Sequence, residues 1–420
     1  MSGAAAPLWT DDGCAAPGLL SIAEAQLRAA GIATAPVGAE TVGLIGLAGR
    51  VSAADVVSPT PLPPFDHSAM DGYALGSSGA EFVVRARLAA GHSGRREPLA
   101  PGEAVRIMTG APVPPGAVAV AMQERVAREG ETIRLRASVE AGANIRREGE
   151  DVRVGDVIVP ARVRLDARHV AILAAAGVAE ISVRRKVRVG LLSTGDELLR
   201  PGRALGPGMI HDANRPMLAA LLSQPAIEIL DLGVAPDDRA ELTRLMAEAG
   251  EACDLIVSSG ATSVGEEDHL TAAVLAAGGT LGVARVALKP GKPVVAGKIG
   301  GAALVGLPGN PFAALVAWLL VGRVVLETLA GLEPKPLAPL AATAGFSQKG
   351  PGGRTEFAPA RIVGTGPEGL PLVKKLGRGG SARLAPLIAA DGLAVIPAGR
   401  DDVSRGDRIG FLPFEAAAEL

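Results

Sequence analysis

The sequence contains few cysteines and few aromatic residues, and its charges nearly balance. Two cysteines, Cys14 and Cys253, are too few for a disulfide framework, which favours a reducing compartment. Aromatic residues make up only 2% of the chain, and the formal net charge is −2. Stacking platforms for bases and a basic surface for phosphate backbones are therefore both missing, which argues against a nucleic-acid-binding protein.

Membrane-targeting features are also scarce. The first residues lack the basic start and apolar core of a secretory signal. The strongest apolar run, residues 313–321, is far shorter than the roughly 18 residues that indicate a membrane span. A chain of 420 residues is long enough for about two to four domains. We therefore expect a multidomain cytoplasmic protein with no membrane partner.

The most informative stretch is an apolar run that breaks into a loop of small residues at 255–268, Leu-Ile-Val-Ser-Ser-Gly-Ala-Thr-Ser-Val-Gly-Glu-Glu-Asp. The run predicts a buried parallel strand. Gly260 and Gly265 would allow a ligand close to the backbone, and the three terminal acids could hold a hard cation. The alternative is a tight turn followed by a helix with acids in its first turn.

Strands and helices alternate around this stretch. Strands are predicted at 187–192, 227–232, 255–257, 283–288 and 302–305, and helices at 217–222, 239–249, 270–277 and 312–329. Such alternation predicts a mostly parallel sheet covered by helices on both faces. Ligands of these sheets bind beyond the carboxyl ends of the strands.

Polar residues follow several of these strands. Asp196 and Glu197, the acids at 266–268, Lys289 with Lys292, and Asn310 before the helix should converge on one edge of the sheet. Asn310 followed by Pro311 is typical of a helix start, whose positive end favours anions. The lysines could instead belong to a solvated turn, but two prolines and a glycine make that turn rigid. No Walker-type phosphate loop or dinucleotide-binding glycine pattern is found.

The flanking regions have other patterns. Ser21 should cap a helix that ends at Gly31, and Asp166 a helix over 167–176. Four prolines in 59–64 predict a rigid loop that presents Asp66, His67 and Asp71; His67 alone is more often an ordinary histidine than a ligand.

Short alternating runs predict β structure in two regions. Residues 81–160 are predicted to form a β module, in which segments 106–114 and 146–152 are either turns or loops of the site. After a proline-rich linker at 333–339, short strands and turns return and predict a small C-terminal β domain.

Six ordered motifs resemble those of the molybdopterin molybdenumtransferase family, which includes MoeA and the gephyrin E domain. They are Pro63-Pro64-Phe65-Asp66-His67-Ser68-Ala69-Met70-Asp71-Gly72-Tyr73-Ala74, Met108-Thr109-Gly110-Ala111-Pro112, Ser193-Thr194-Gly195-Asp196-Glu197-Leu198, Ser263-Val264-Gly265-Glu266-Glu267-Asp268, Lys289-Pro290-Gly291-Lys292-Pro293 and Leu307-Pro308-Gly309-Asn310-Pro311. The resemblance extends from about residue 17 to residue 414.

The resemblance implies an enzyme of the last step of molybdenum cofactor synthesis. It would insert molybdenum from molybdate into adenylylated molybdopterin and release AMP, with Mg²⁺ as cofactor. It would form a homodimer with shared sites and could work beside the molybdopterin adenylyltransferase. An adenylyltransferase-like enzyme, a non-catalytic gephyrin-like scaffold and an inactive paralogue remain alternatives.

The resemblance also implies specific residues and domains. The catalytic residues would be Asp66, Thr109, Asp151, Glu197 and Asp268, of which Asp66, Glu197 and Asp268 would bind the metal. The substrate-binding residues would be Ser263, Lys289, Lys292, Pro293, Pro308, Asn310, Arg354 and Ser381. The domains would be a discontinuous N-terminal helical linker domain (17–50 and 146–182), an inserted β-rich domain (51–145), a three-layer α/β/α molybdopterin-binding domain (183–331) and a β-barrel-like domain (332–414).

The sequence departs from the family pattern at three places. His67 replaces the usual Asn, Ala261-Thr262 replaces Gly-Val in the central loop, and Ala213 replaces Ser between Asp212 and Asn214. The first two departures lie in the expected site, so they bear on substrate affinity and metal preference.

Overall fold

The computed structural model describes residues 18–33, 35–91, 97–260, 269–335, 337–377, 380 and 382–415. The chain forms two compact units. The first comprises Met1–Glu40, Gly49–Ala53 and Val183–Leu420, and the second comprises Thr41–Ala48 and Ala54–Ser182.

The described residues form helices and short strands. The α-helices are α1 (Ile22–Ile32), α2 (Ala167–Ala175), α3 (Asn214–Leu222), α4 (Arg239–Ala252), α5 (His269–Ala276), α6 (Pro311–Ala317), α7 (Arg323–Leu329) and α8 (Ala385–Ile388). The strands are β1 (Ala39–Gly43), β2 (Val56–Val57), β3 (His67–Ser68), β4 (Gly72–Leu75), β5 (Glu81–Leu88), β6 (Glu103–Ile107), β7 (Ala119–Met122), β8 (Val126–Glu129), β9 (Thr132–Leu135), β10 (Ile145–Arg146), β11 (Val157–Val159), β12 (Glu180–Arg184), β13 (Val187–Thr194), β14 (Leu198–Leu199), β15 (Ile210–His211), β16 (Ile227–Ala235), β17 (Leu255–Ser259), β18 (Thr280–Ala284), β19 (Leu288–Lys289), β20 (Val295–Ile299), β21 (Ala302–Leu307), β22 (Leu340–Ala344), β23 (Thr355–Thr365), β24 (Pro371–Lys375), β25 (Gly392–Ile396) and β26 (Arg408–Pro413).

The first unit contains the predicted α/β sheet. Its strand order is β16-β13-β17-β21-β20-β18. The first four strands are parallel, whereas β20 runs antiparallel to both β21 and β18. The prediction of a mostly parallel sheet is therefore confirmed, and β17 lies at its centre.

Helices cover both faces of this sheet. Leu255 and Val257 of β17 pack in the core that includes α1, α3, α6 and α7. Ile256, between them, packs in the opposite core with side chains of α4 and α5. Because successive strand residues face opposite sides, a strand buried on both faces is apolar throughout. The three-layer arrangement follows from this pattern.

The longest helical segment continues from Pro311 to Leu329 through α6, a π-helical turn at Trp318–Gly322, and α7. Among the described residues, it is the helix whose length and composition would allow it to cross a membrane. In the protein, 83% of its apolar window is buried. The segment therefore serves as the central helix of the larger core.

A side chain from α1 contacts the irregular part of this helix. Gln26 Nε2 donates a hydrogen bond of 3.0 Å to the carbonyl oxygen of Leu320, which lies within the π-helical turn. A π-helical turn disturbs the regular bonding of the helix, so an outside donor can satisfy a carbonyl there.

We expect Gln26→Ala to lower the free energy of unfolding of the first unit by about 1 kcal/mol, because a partly buried carbonyl loses its donor. The measurement is urea unfolding followed by Trp318 fluorescence in a Trp9→Phe background. An unchanged midpoint would show that this bond contributes nothing. Leu27→Ala, at an exposed position of the same helix, is the control.

The C-terminal strands of the first unit close into a barrel. The pairings run β23-β24-β22-β26-β25 and return from β25 to β23. Strand β19 adds to the edge of β23 in parallel, with Lys289 opposite Glu356. The predicted C-terminal β domain is confirmed, and the lysine-containing turn is attached directly to it.

The second unit contains a six-stranded sheet in the order β7-β4-β6-β5-β9-β8. A short ladder between β3 and β10 places His67 opposite Arg146. The proline-rich loop therefore lies beside the segment 146–152. Helix α2 has its predicted cap, since Asp166 accepts hydrogen bonds from the backbone of Arg168 and His169.

Several predicted boundaries were wrong. Helix α1 continues through Gly31 to Ile32, because burial of Ile32 outweighs the weak helix propensity of glycine. The strand predicted at 283–288 is divided into β18 and β19, because Arg285 has a positive φ of 59°. Strand β16 extends to Ala235, three residues beyond its predicted end. The four-domain division stays a prediction.

Candidate active site

The carboxyl ends of β13 and β16 bring three acidic residues of the first unit together. Asp196 and Glu197 follow β13, and Asp237 follows β16. The backbone N–H of Asp237 donates to Asp196 Oδ1 at 3.1 Å. Gly195 has a φ of 146°, and a Cβ there would lie 2.6 Å from Glu197 Oε2. Glycine therefore lets the Glu197 carboxylate fold back over the end of the strand.

These carboxylates repel one another. Desolvation raises the pKa of Asp237, and the charges of Asp196 and Glu197 raise it further, partly offset by His269. A pKa raised by neighbouring carboxylates indicates an acidic site where a cation would be stabilising. Oxygen donors of this kind suit Mg²⁺.

The predicted metal ligands lie in different parts of the chain. Within the described ranges, no group of three or more His, Cys, Asp or Glu side chains has the arrangement of a metal site. Asp66 belongs to the second unit, Glu197 to the first, and Asp268 lies outside the described residues. The assignment of these three residues to a metal stays a prediction.

Asp237→Asn should reveal the repulsion between Asp237 and the neighbouring carboxylates in the absence of metal. Without Mg²⁺ we expect the variant to be more stable than the wild type, because one repelling charge is removed. Since the pKa of Asp237 is raised, the folded protein binds this proton more tightly than the unfolded chain, and the wild type loses stability as pH rises through that titration. The advantage of the variant should therefore appear above the ordinary aspartate range and vanish in acid. Thermal unfolding in EDTA from pH 3 to 8 measures it.

The matched control is Asp238→Asn, because Asp238 caps α4 by accepting from Glu241 N at 2.8 Å and asparagine caps equally well. Equal behaviour of the two variants would contradict the acidic-site interpretation.

A cationic cavity of about 560 Å³ lies between the lysine-containing turn, the start of α6 and the barrel, all in the first unit. Its cationic lining residues are Lys289, Lys292, Lys349, Arg354, Lys375 and Arg383. Glu356 is the acidic residue among the described lining side chains. Such an excess of positive charge indicates an anion-binding cavity.

Glu356 connects two of these lysines. It is 6% exposed and accepts hydrogen bonds from Lys289 Nζ at 2.8 Å and Lys375 Nζ at 2.5 Å. Burial raises the pKa of Glu356, but the hydrogen bonds from the two lysines outweigh burial and hold that pKa below its ordinary value. Lys375 also donates to Gln348 Oε1 at 2.6 Å. Lys289 and Lys375 are thus held in place by the barrel.

The start of α6 forms another wall of the cavity. Asn310 is the N-cap residue and Pro311 occupies the first turn, as predicted. The Asn310 carbonyl accepts from Ala314 N at 2.9 Å, and Asn310, Pro308 and Phe312 line the cavity. The helix therefore directs its positive end towards the cationic cavity.

The structure brings together most of the predicted substrate-binding residues. Lys289, Lys292, Pro293, Pro308, Asn310 and Arg354 line the same cavity. Ser263 and Ser381 lie outside the described residues, as does Ala261-Thr262.

The second unit holds the other predicted catalytic residues. Asp66 accepts from Arg147 Nη1 at 2.6 Å and from Glu148 N at 2.8 Å. Desolvation raises the pKa of Asp66, but these hydrogen bonds outweigh it and lower that pKa. Asp66 is therefore a stable carboxylate. The Asp151 backbone N–H donates to Leu62 O at 3.0 Å, which places Asp151 beside the proline-rich loop.

Thr109 is held by an aspartate. Its backbone N–H and its hydroxyl donate to Asp71 Oδ1 at 2.8 and 2.9 Å. The same bonds, from the backbone first and the hydroxyl second, lower the pKa of Asp71. His67, one of the departures from the family pattern, has its Nδ1 3.1 Å from Ser68 O and lies edge-on to Phe65. Its position in the loop is set by these local contacts.

Sequence reasoning missed several site residues. Asp237 was missed because β16 was predicted to end at Leu232, five residues before it; the Pro236-Asp237-Asp238 sequence at a strand end was an available signal. Lys349, Lys375 and Arg383 come from the barrel, and no local pattern connects them with the lysine-containing turn.

Comparisons with known proteins cover nearly the whole chain. The family described as "MoeA N-terminal region (domain I and II)" matches residues 20–177. "Probable molybdopterin binding domain" matches residues 190–328, and "MoeA C-terminal region (domain IV)" matches residues 341–414.

Individual relatives agree with these matches. A molybdopterin molybdenumtransferase of Haemophilus influenzae is 37% identical over 90% of this chain and 95% of its own length. Molybdopterin molybdenumtransferase 2 of Mycobacterium tuberculosis is 35% identical over 88% of this chain and 93% of its own length. The solved structure of a molybdopterin biosynthesis MoeA protein from Pyrococcus horikoshii superposes with a TM-score of 0.79 at 28% identity, covering 94% of this chain and 100% of that one. Identity at this level over almost complete chains, together with three family matches that span most of the sequence, shows that this chain belongs to the molybdopterin molybdenumtransferase family.

Proposed function

We propose that this protein transfers molybdenum from molybdate to adenylylated molybdopterin, releases AMP and depends on Mg²⁺. The observation that carries the proposal is the cationic cavity at the start of α6, in the same unit as the acidic residues at the sheet edge. The relatives named above bear the corresponding name.

The cavity suits a small oxyanion. Molybdate carries two negative charges and four oxygen acceptors, and lysine and arginine bind such oxygens through short charge-assisted hydrogen bonds. Lys292, Arg354 and the first turn of α6 would hold molybdate, while Glu356 keeps Lys289 and Lys375 in position.

The acidic residues suit the nucleotide side of the reaction. Glu197 would hold Mg²⁺ together with the predicted ligand Asp268, which comes after the central strand β17 in the sequence. Asp196 and Asp237 add negative charge beside Glu197. When bound, the cation would neutralise charge on the phosphates of the substrate. The carboxylates themselves would orient the cation at this edge of the sheet.

Three finer expectations belong to the same proposal. The protein is a homodimer in which Asp66, Thr109 and Asp151 of one subunit complete the site of the other subunit. It is cytoplasmic, in keeping with a buried free thiol at Cys253. It receives its pterin substrate from a molybdopterin adenylyltransferase.

The test is to incubate the purified protein with adenylylated molybdopterin, molybdate and Mg²⁺ and to measure AMP and the molybdenum bound to pterin. We expect AMP release that requires all three components. Release that is independent of molybdate would contradict molybdenum insertion, and formation of adenylylated substrate from ATP would indicate an adenylyltransferase. No turnover under any condition would indicate a scaffold or an inactive paralogue. Sedimentation tests the dimer, and a monomer would contradict it.

A further inference from the structure

The first residue of α3, Asn214, connects two segments at the carboxyl edge of the sheet. Its Nδ2 donates to Ser259 Oγ at 2.6 Å and to Gly309 O at 2.7 Å. Ser259 is the last residue of β17, and Gly309 lies between β21 and α6. One amide group therefore joins the end of the central strand to the segment that opens α6.

The two connected segments belong to different parts of the site. Strand β17 leads towards the loop with the predicted residues Ser263 and Asp268, whereas Pro308 and Asn310 line the anion cavity. The backbones also approach closely, since Gly260 N donates to Leu307 O at 3.3 Å and a Cβ at Gly309 would lie 3.7 Å from the Cα of Gly260. Small changes in one segment would therefore displace the other.

Asn214 is itself firmly anchored. Asp212 accepts from Arg215 N at 3.2 Å and Arg215 Nε at 3.0 Å, and Arg215 also pairs with Asp231 on β16. Asp212 thereby caps α3, although Ala213 at the N-cap position makes no side-chain cap bond. The position of Asn214 is therefore supported without a side-chain cap from Ala213.

The burial of Asn214 also needs an explanation. Asn214 is 6% exposed, and its Oδ1 has no hydrogen-bond partner among the described residues. A buried unpaired acceptor is unfavourable, and the Nδ2 hydrogen bonds to Ser259 and Gly309 offset that cost.

We propose that Asn214 is a positioning residue that holds the end of β17 and the cavity-lining segment 308–310 in the register that the transfer of molybdenum requires; this inference rests on the proposed function. A displacement of about 1 Å at a reacting centre can cost a large factor in rate, so release of the two segments should slow the reaction without removing any group that touches the substrates.

The test compares Asn214→Ala and Asn214→Asp with Gln26→Ala. Asn214→Asp keeps the shape of the side chain but places an oxygen against Gly309 O. Gln26→Ala removes a similar hydrogen bond from an amide to a carbonyl in the same unit, and neither Gln26 nor Leu320 lines the cavity. We expect kcat/KM for molybdate to fall at least about tenfold in both Asn214 variants and to stay within about twofold in Gln26→Ala. Equal losses in Asn214→Ala and Gln26→Ala would overturn the inference.

Hydrogen exchange provides a readout that does not depend on activity. Peptides covering 255–260 and 304–313 should exchange faster in both Asn214 variants and be unchanged in Gln26→Ala. Unchanged protection in the Asn214 variants would overturn the positioning role. If the wild type itself showed no molybdate-dependent AMP release, the proposed function would fail, and the exchange data would still decide whether Asn214 holds the two segments.

Discussion

Replacing Lys292 with alanine should raise the molybdate concentration for half-maximal AMP release by about 10- to 100-fold, the range expected for one lost charge-assisted hydrogen bond. Among the described residues, Lys292 has no ion-pair partner, whereas Lys289 is engaged by Glu356. The backbone of Lys292 is fixed because its carbonyl accepts from Val286 N at 3.0 Å and Val294 N at 3.1 Å. A rigid turn therefore carries Lys292, and its ammonium group is available to bind an anion.

Lys298→Ala is the matched control for Lys292→Ala, because Lys298 lies on β20 of the same unit and does not line the cavity. The measurement is AMP release at varied molybdate, together with direct molybdate binding by calorimetry. If both lysine variants shifted the molybdate response equally, the effect would be one of overall charge, and Lys292 would not be part of an oxyanion site.

Glu356→Gln should both destabilise the first unit and weaken molybdate binding. A neutral amide cannot accept from two ammonium groups as a carboxylate does, and its NH₂ would face one of them. Since Lys289 is half-exposed, solvent screens part of the loss, and we expect a decrease of roughly 2 kcal/mol in the free energy of unfolding. Molybdate affinity should fall because Lys289 and Lys375 are no longer held at the wall of the cavity.

The pH dependence tests this explanation. The folded-state pKa of Glu356 is lowered, so its contribution to stability is present above the ordinary glutamate range and is lost as pH falls through the lowered value. The difference between wild type and Glu356→Gln should therefore be largest near neutral pH and disappear in acid. Urea unfolding from pH 3 to 8 measures it, with Glu24→Gln as the control because Glu24 makes an exposed pair with Arg28. A difference that stayed constant with pH would mean that the carboxylate charge is not responsible.

Local pattern was sufficient for several elements of both units. The apolar run at 255–257, the cap at Asp166 and the Asn310-Pro311 helix start each correspond to the observed element, because each depends on neighbours in the sequence. The predicted boundaries were wrong where contacts between distant parts of the chain determine where an element begins or ends. Gly31 remains helical because the next residue, Ile32, is buried. Strand β19 begins after the break at Arg285 and pairs with a barrel strand 67 residues later.

The sequence by itself determined the family and the alternation of strands and helices, because motifs and hydrophobic periods are carried by residues close together along the chain. It also predicted the residue types of the site. Only the tertiary structure decided which charges meet. In the structure, Glu356 accepts hydrogen bonds from both Lys289 and Lys375, and Asp237 lies near Glu197. Asn214 donates hydrogen bonds to both Ser259 and Gly309. These contacts join strands and loops far apart in the chain, and packing of the sheet against the barrel and helices brings them together, which no local pattern specifies.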